Sequence, residues 1–241
     1  MATVTKQELL DYLFADPSHV LAQSFDVWAD QAAFRAFAHR YRDKIRKKLR
    51  GVRDPDGMAD LNWELQVAFQ LLQTRSFDLS YEHGGVGFLR GPDFVASFKG
   101  HTPIGMEATR MRASVRVGQA ATDKLADILC AKLAQTIAQA PNLLVVRVPP
   151  ATYLDIDGAL AIKTLVQRAE HKDAAYFAQR GYTDAVVFLK SLRRLSGLLV
   201  ATGAAASSTQ AALWLNPLAQ RPLPEQARKR VLQAFHDGCP L

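Results

Sequence analysis

Glu64, Asp93 and Glu107 are acidic side chains at positions where folding alone gives no reason for an acid, and their spacing suits a divalent cation. Asp93 opens the run Pro92-Asp93-Phe94-Val95-Ala96-Ser97-Phe98, and Glu107 lies in Ile104-Gly105-Met106-Glu107-Ala108-Thr109. Both runs read as short strands bounded by Gly and Pro. Lys99-Gly100-His101-Thr102-Pro103 between them reads as a turn. A hairpin symmetric about Gly100 sets Asp93 directly across from Glu107, on one face of the sheet. Two carboxylates that close repel each other unless a cation lies between them.

A third acid comes from a helix. Between Leu61 and Thr74, at about 100° per residue, Leu61, Val67, Ala68, Leu71 and Leu72 form one face and Gln66, Gln70 and Gln73 the other. Glu64 falls in the middle of the apolar side, where an ionised carboxylate needs a partner or a metal. The alternative is that Glu64 lies at a helix end or that the face is drawn wrongly. The same projection over Ala121 to Gln139 sets Lys132 among Leu125, Ile128, Leu129, Leu133 and Thr136, with Gln135 pointing to nearly the same side. An ammonium there calls for a carboxylate or phosphate, unless its stem snorkels to water. Lys124 lies nearer the border of that face and has the place of a solvated lysine.

The elements that must position these groups follow in a definite order: a helix bearing Asn62-Trp63-Glu64-Leu65, a strand Phe77-Asp78-Leu79-Ser80-Tyr81-Glu82, Gly91-Pro92-Asp93-Phe94, Glu107-Ala108-Thr109, a helix, and the apolar strand Asn142 to Val148. Over residues 60 to 150 this order resembles the core of the PD-(D/E)XK nuclease superfamily, the restriction-endonuclease-like fold. The resemblance implies a mixed α/β fold with a central mixed β-sheet flanked by helices. It implies that Asp93 and Glu107 hold Mg²⁺ (or Mn²⁺), with Glu64 as an additional acid ligating directly or through water. It implies hydrolysis of phosphodiester bonds, with DNA as the expected nucleic acid.

The chain departs from the pattern at Thr109, where the family carries a lysine two residues after the second acid. Arg110 cannot replace it, because alternation turns Arg110 to the other face and a guanidinium keeps its proton near neutral pH. Some members of the superfamily bring the lysine from the following helix, and Lys132 with Gln135 beside it fits that role. The catalytic set expected is therefore Glu64, Asp93, Glu107, Lys132 and Gln135. A non-catalytic module that keeps the fold to bind nucleic acid or a protein is the alternative that Thr109 favours.

The formal net charge is +7 and is unevenly spread. From Asp30 to Arg50 eight basic residues stand against Asp30 and Asp43, 8 − 2 = +6. Phe34, Phe37, Tyr41, Ile45 and Leu49 recur at helical spacing. The expectation is one basic helix ending near Gly51, with Arg42, Arg46, Lys47, Lys48 and Arg50 contacting phosphates, or else a solvated basic face.

The remaining chain is bounded more loosely. Residues 1–58 are expected as a helical N-terminal appendage with a break at Asp16-Pro17-Ser18 and a polar linker from Gly51 to Gly57, and residues 59–241 as the core with a C-terminal extension. A turn is expected at Pro149-Pro150, a helix over Ile156 to Ala169, a buried strand at Leu198 to Ala201, a loop over Thr202 to Thr209, an edge segment at Trp214 to Pro217 and a closing helix over Glu225 to Ala234. Cys130 and Cys239 form neither a disulfide framework nor a zinc spacing. No apolar run approaches the ~20 residues of a membrane span, and Met1 to Glu8 is unlike a signal peptide. A cytoplasmic protein is expected, with no membrane partner and with a homodimer left open. There is no internal repeat, no Gly-rich phosphate loop and no Ser-His-Asp set that can be placed in space.

Overall fold

The computed structural model describes residues 4–81, 91–100, 102–112, 120–203 and 210–236. Its centre is helix α5 (Pro55–Gln73), longer than the sequence suggests because it begins inside the expected linker. The cause is local. Asp54 caps the helix by accepting the Gly57 N–H at 2.7 Å, and Pro55, which has no N–H to leave unpaired, takes its first position. The helices before it are α1 (Lys6–Leu13), α2 (Ala22–Ala29), α3 (Ala32–Arg40) and α4 (Arg42–Gly51), with the break after α1 where Asp16-Pro17-Ser18 predicts it.

Two expectations about this region are corrected. The single basic helix is two helices, because Tyr41 leaves helical geometry (φ −110°, ψ 18°) and serves as the junction of α3 and α4. The glutamine face of α5 is not a wet face: Gln66 and Gln70 are buried. α5 is covered on the side away from the sheet as well, by α3, α4 and the last helix α10 (Glu225–His236). Phe69 meets Trp28 and Phe34, with ring centres 5.8 and 5.7 Å apart, and Trp63 meets Phe235 at 6.2 Å. Apolar side chains of α1 to α4 thus run without interruption into those of α5 and the sheet.

The sheet has six strands in sequential order: β1 (Phe77–Tyr81), β2 (Phe94–Phe98), β3 (Thr102–Arg110), β4 (Asn142–Val148), β5 (Leu195–Thr202) and β6 (Ala211–Leu215). β1, β2 and β3 form an antiparallel meander, β3, β4 and β5 run parallel, and β6 closes the edge antiparallel to β5. The fold is mixed α/β, a mixed sheet flanked by helices. The β2–β3 turn carries two left-handed residues, Lys99 (φ 48°) and Gly100 (φ 74°), and Gly100 takes that geometry without strain. Pairing runs Phe94 with Met106, Val95 with Gly105 and Ala96 with Ile104, the register expected from symmetry about Gly100.

One sheet face, with Met106, Leu143 and Val145, packs under α5, the N-terminal helices and α10. The other, with Leu144, Val146, Leu198 and Val200, packs under α6 (Ala121–Lys132), α7 (Gly158–Glu170), α8 (Ala174–Ala178) and α9 (Ala185–Leu192). Cover on both faces is why β5 is buried at every residue and shows no alternation. The helix expected over Ala121 to Gln139 stops early. It ends as α-helix at Lys132 and continues as a 3-10 turn, Leu133–Gln135. Asn142 holds that turn against the sheet: its side chain accepts the Ile137 N–H at 2.7 Å and donates to the carbonyls of Ile137 (2.8 Å) and Arg194 (3.0 Å). A turn at Pro150–Asp155 leads into α7; β5 and α10 occupy the places expected for the late strand and closing helix, and the edge strand β6 begins three residues before the expected Trp214. Glu82, His101, Cys239 and residues 204–209 lie outside the described residues. No helix among the described residues is long and apolar enough to cross a membrane.

Candidate active site

The hairpin brings Asp93 and Glu107 together as its register requires. Asp93 stands one residue before β2, opposite Glu107, and its carboxylate accepts the Ala108 N–H at 2.8 Å. The Asp93 backbone N–H in turn favours the ionised form of Glu107. Glu107 faces the α6 side of the sheet, since it pairs with Leu144, and it is buried.

Lys132 meets it there. Its Nζ lies 2.7 Å from Glu107 Oε1. Gln135, turned so that its amide nitrogen faces the carboxylate, donates to the same acid, 2.7 Å to Oε2. The 3-10 turn explains why both side chains arrive at one group, because residues three apart eclipse each other in that geometry. Thr109, two residues after Glu107, shares its face and supplies no charge. Lys124 does not approach the acids; its ammonium bonds the Arg112 carbonyl, and partial burial lowers its pKa.

Glu64 comes from α5, on the opposite side of the sheet. It is buried, and its partner is a residue expected elsewhere: Lys48 of α4, with Nζ 2.6 Å from Glu64 Oε1. The Tyr81 hydroxyl also favours the ionised form of Glu64, and the Lys48 ammonium sits 4.8 Å from the Tyr81 ring centre. Lys48 is therefore corrected from a phosphate contact on the surface to a member of the buried site. At about 100° per residue, α4 sorts its cations into two flanks around Ile45 and Leu49. Lys44 and Lys48 turn toward the Tyr81 carbonyl and Glu64. Arg42 and Arg46 lie over the Tyr12 ring at 5.0 and 4.5 Å, while Lys47 and Arg50 are exposed.

The acids are electrostatically frustrated. Burial, and then the Asp93 charge, push Glu64 up to about 7 against the pull of Lys48. Burial, and then Glu107, push Asp93 up to about 7. Burial raises Glu107 too, opposed by Lys132. With all three ionised, the carboxylates face two ammonium groups and carry one negative charge in excess, which is what their raised pKa values relieve.

No family model, curated protein or solved structure matches the chain.

Whether the site fits a cation is a question of its own donors. All three are carboxylates, hard oxygen ligands suited to Mg²⁺ or Mn²⁺, and the excess charge has the right sign. Among the described residues no three His, Cys, Asp or Glu side chains converge tightly enough to enclose a metal by themselves. A cation here would rest on Asp93 and Glu107 and fill its shell with water, with Glu64 reached through water. Mg²⁺, which gives up its water reluctantly and is often held by one or two carboxylates, fits that arrangement. Sequence reasoning missed Tyr81 and the pairing of Lys48 with Glu64. The signal for Lys48 was its four-residue spacing from Lys44 on one flank of α4, legible only once the helix is known to restart at Tyr41.

Proposed function

We propose that this chain is a Mg²⁺-dependent nuclease of restriction-endonuclease-like fold that hydrolyses phosphodiester bonds in DNA. One observation carries the reading: Lys132 reaches Glu107 at 2.7 Å from the following helix, with Asp93 paired across the hairpin and uncharged Thr109 where a strand lysine would stand. The succession of α5, β1, the β2–β3 hairpin, α6 and β4 supports it.

Asp93 and Glu107 are the residues that would hold the cation. The chemistry expected of it is polarisation of the phosphoryl group and acidification of a water. Lys132 directs its remaining N–H groups at a water or phosphate oxygen beside Glu107 and offsets the charge that develops in the transition state. A carboxylate raised to about 7, as Glu64 is, is matched to accept a proton at neutral pH. The water oxygen forms the new P–O bond while its proton passes to a carboxylate. The departing sugar oxygen keeps the electron pair of the broken P–O bond and takes a proton from solvent. Gln135 fixes the orientation of Glu107, and Lys48 holds Glu64.

A second reading, a non-catalytic module that binds nucleic acid or protein, is favoured by the two ion pairs, which already match much of the acid charge. Nicking of supercoiled plasmid separates the two. Wild-type protein should nick with Mg²⁺ or Mn²⁺, stop on chelation, and lose the activity in Asp93→Ala. Wild-type protein that cuts neither DNA nor RNA with either metal leaves the binding module.

A further inference from the structure

On the α5 face of the sheet a second cluster has the opposite sign. Arg110 of β3 and Arg147 of β4 are register partners, so their side chains lie next to each other. Arg110 is satisfied: its Nε is 2.8 Å from Asp60 Oδ1 and its Nη2 is 2.9 Å from the Asp56 carbonyl. Arg112 takes the other oxygen of Asp60. Nothing remains for Arg147. Among the described residues its guanidinium has no hydrogen bond and no ion pair, and it lies over the Trp63 ring, 5.9 Å from the ring centre. It is half-buried, and burial, then the Arg110 charge, lower its pKa. Arg147 nevertheless has a shaped seat. A β-carbon on residue 203 would collide with the guanidinium, so glycine at that position leaves the space the side chain occupies. Trp63, whose indole N–H reaches the Val145 carbonyl at 3.4 Å, forms the floor.

A half-buried cation beside a second cation is as unfavourable alone as two facing carboxylates, and an anion is the remedy. We infer that Arg147 is a phosphate subsite that takes non-bridging oxygens of a polynucleotide backbone. The inference deepens the nuclease reading and rests on it for the identity of the ligand. Chemistry favours phosphate: a planar guanidinium presents paired N–H groups to two oxygens of one tetrahedral anion, and the low-dielectric seat strengthens the attraction. Position favours a polynucleotide. Glu107 is level with Leu144, and Arg147 lies three residues beyond, roughly 10 Å along the parallel strands and on the opposite face of the sheet. A nucleic-acid strand that wraps around this end of the sheet from one face to the other would meet both. Neighbouring residues of α5 serve the two clusters, Trp63 under Arg147 and Glu64 beside Lys48.

The test uses full-length protein carrying Asp93→Asn, so that substrate survives, and follows the affinity of a labelled oligonucleotide, single-stranded and duplex, against salt. Arg147→Gln should weaken binding several-fold and reduce the salt slope by about one unit, with Arg147→Lys retaining most of the slope. Gly203→Ala, which displaces the guanidinium without removing its charge, should weaken binding at low salt. Thermal melts run in parallel. A lower melting temperature with unchanged affinity and slope makes Arg147 a packing residue for Trp63 and overturns the inference. Inorganic phosphate that stabilises wild type but not Arg147→Gln, with oligonucleotide binding unchanged, makes the seat a small-anion site and overturns the polynucleotide assignment. Absence of oligonucleotide binding by the Asp93→Asn protein overturns it as well. Should wild type fail to cleave while Arg147→Gln still lowers the slope, the subsite stands and the nuclease reading falls.

Discussion

The two faces of β3 answer the same electrostatic problem differently. On the α6 face, Glu107 and Asp93 crowd like charges together and receive Lys132 from a helix. On the α5 face, Arg110 and Arg147 crowd like charges together, and the carboxylates of α5 reach only the first. Each face keeps a remainder of one sign. An isolated stabilising network would end neutral, because buried unmatched charge opposes folding. Remainders of opposite sign on adjoining surfaces suit a ligand that is itself a phosphate chain carrying cations.

The sharpest way to break this comparison is to remove the ammonium from the acid face. Lys132→Ala should depress turnover by on the order of 10² with substrate affinity little changed, since the interaction strengthens in the transition state. Lys124→Ala, whose ammonium meets the Arg112 carbonyl and not the acids, should cut at the wild-type rate. Equal loss in both variants would assign the effect to α6 packing and not to the Lys132–Glu107 pair.

A smaller effect separates the flanks of α4. Arg46→Ala/Lys47→Ala/Arg50→Ala should lower the salt slope of DNA binding by up to about three units, with turnover at saturating DNA preserved. Lys48→Met should do the reverse, leaving the slope and reducing turnover, because it strips Glu64 of its partner. Matching phenotypes would show that the helix acts as one basic surface.

The smallest effect is on stability and has a definite pH dependence. Asp93 and Glu64 have folded-state pKa values near 7, above their ordinary values of 3.8 and 4.5. Between about pH 4 and pH 7 the unfolded chain gives up these protons before the folded one, so their contribution to stability falls as pH rises through that window. Asp93→Asn should therefore melt a few degrees above metal-free wild type at pH 7.5, and the gain should shrink toward zero near pH 4. Saturating Mg²⁺ should narrow the gap at pH 7.5 by stabilising wild type alone. An Asp93→Asn protein that melts below wild type at pH 7.5 without metal would mean that the aspartate is a net structural asset.

The hairpin and Lys132 were legible from the chain because each follows from a local period. A two-residue repeat around Gly100 determines which side chains face each other, and a helical projection directs Lys132 inward whatever lies beneath it. The destination of Lys48 was not legible, because it depends on α4 restarting at Tyr41 and on α4 lying over α5, both products of tertiary packing. Gln66 and Gln70 misled for the same reason: a polar stripe signals water only if no second layer covers it, and here α3, α4 and α10 do. The end of α6 was blurred because nothing at Lys132 marks it; Asn142, ten residues on, holds the turn that follows.

That helix end has a dynamic consequence. The backbone beneath a lysine carried on β3 could move away from the acids only by parting the sheet, an event as rare as global unfolding. Lys132 closes an α-helix, so beyond the rotamer changes open to any lysine its backbone can draw back from Glu107 by the opening of a single turn, and such end turns fray far more readily than a sheet parts. Positive charge at the acids is thereby expected to be a fluctuating occupancy with its own opening equilibrium, which the Asn142 hydrogen bonds to Ile137 oppose. Amide exchange across Leu133 to Ile137 reads that equilibrium directly, apart from the stability of the rest of the molecule.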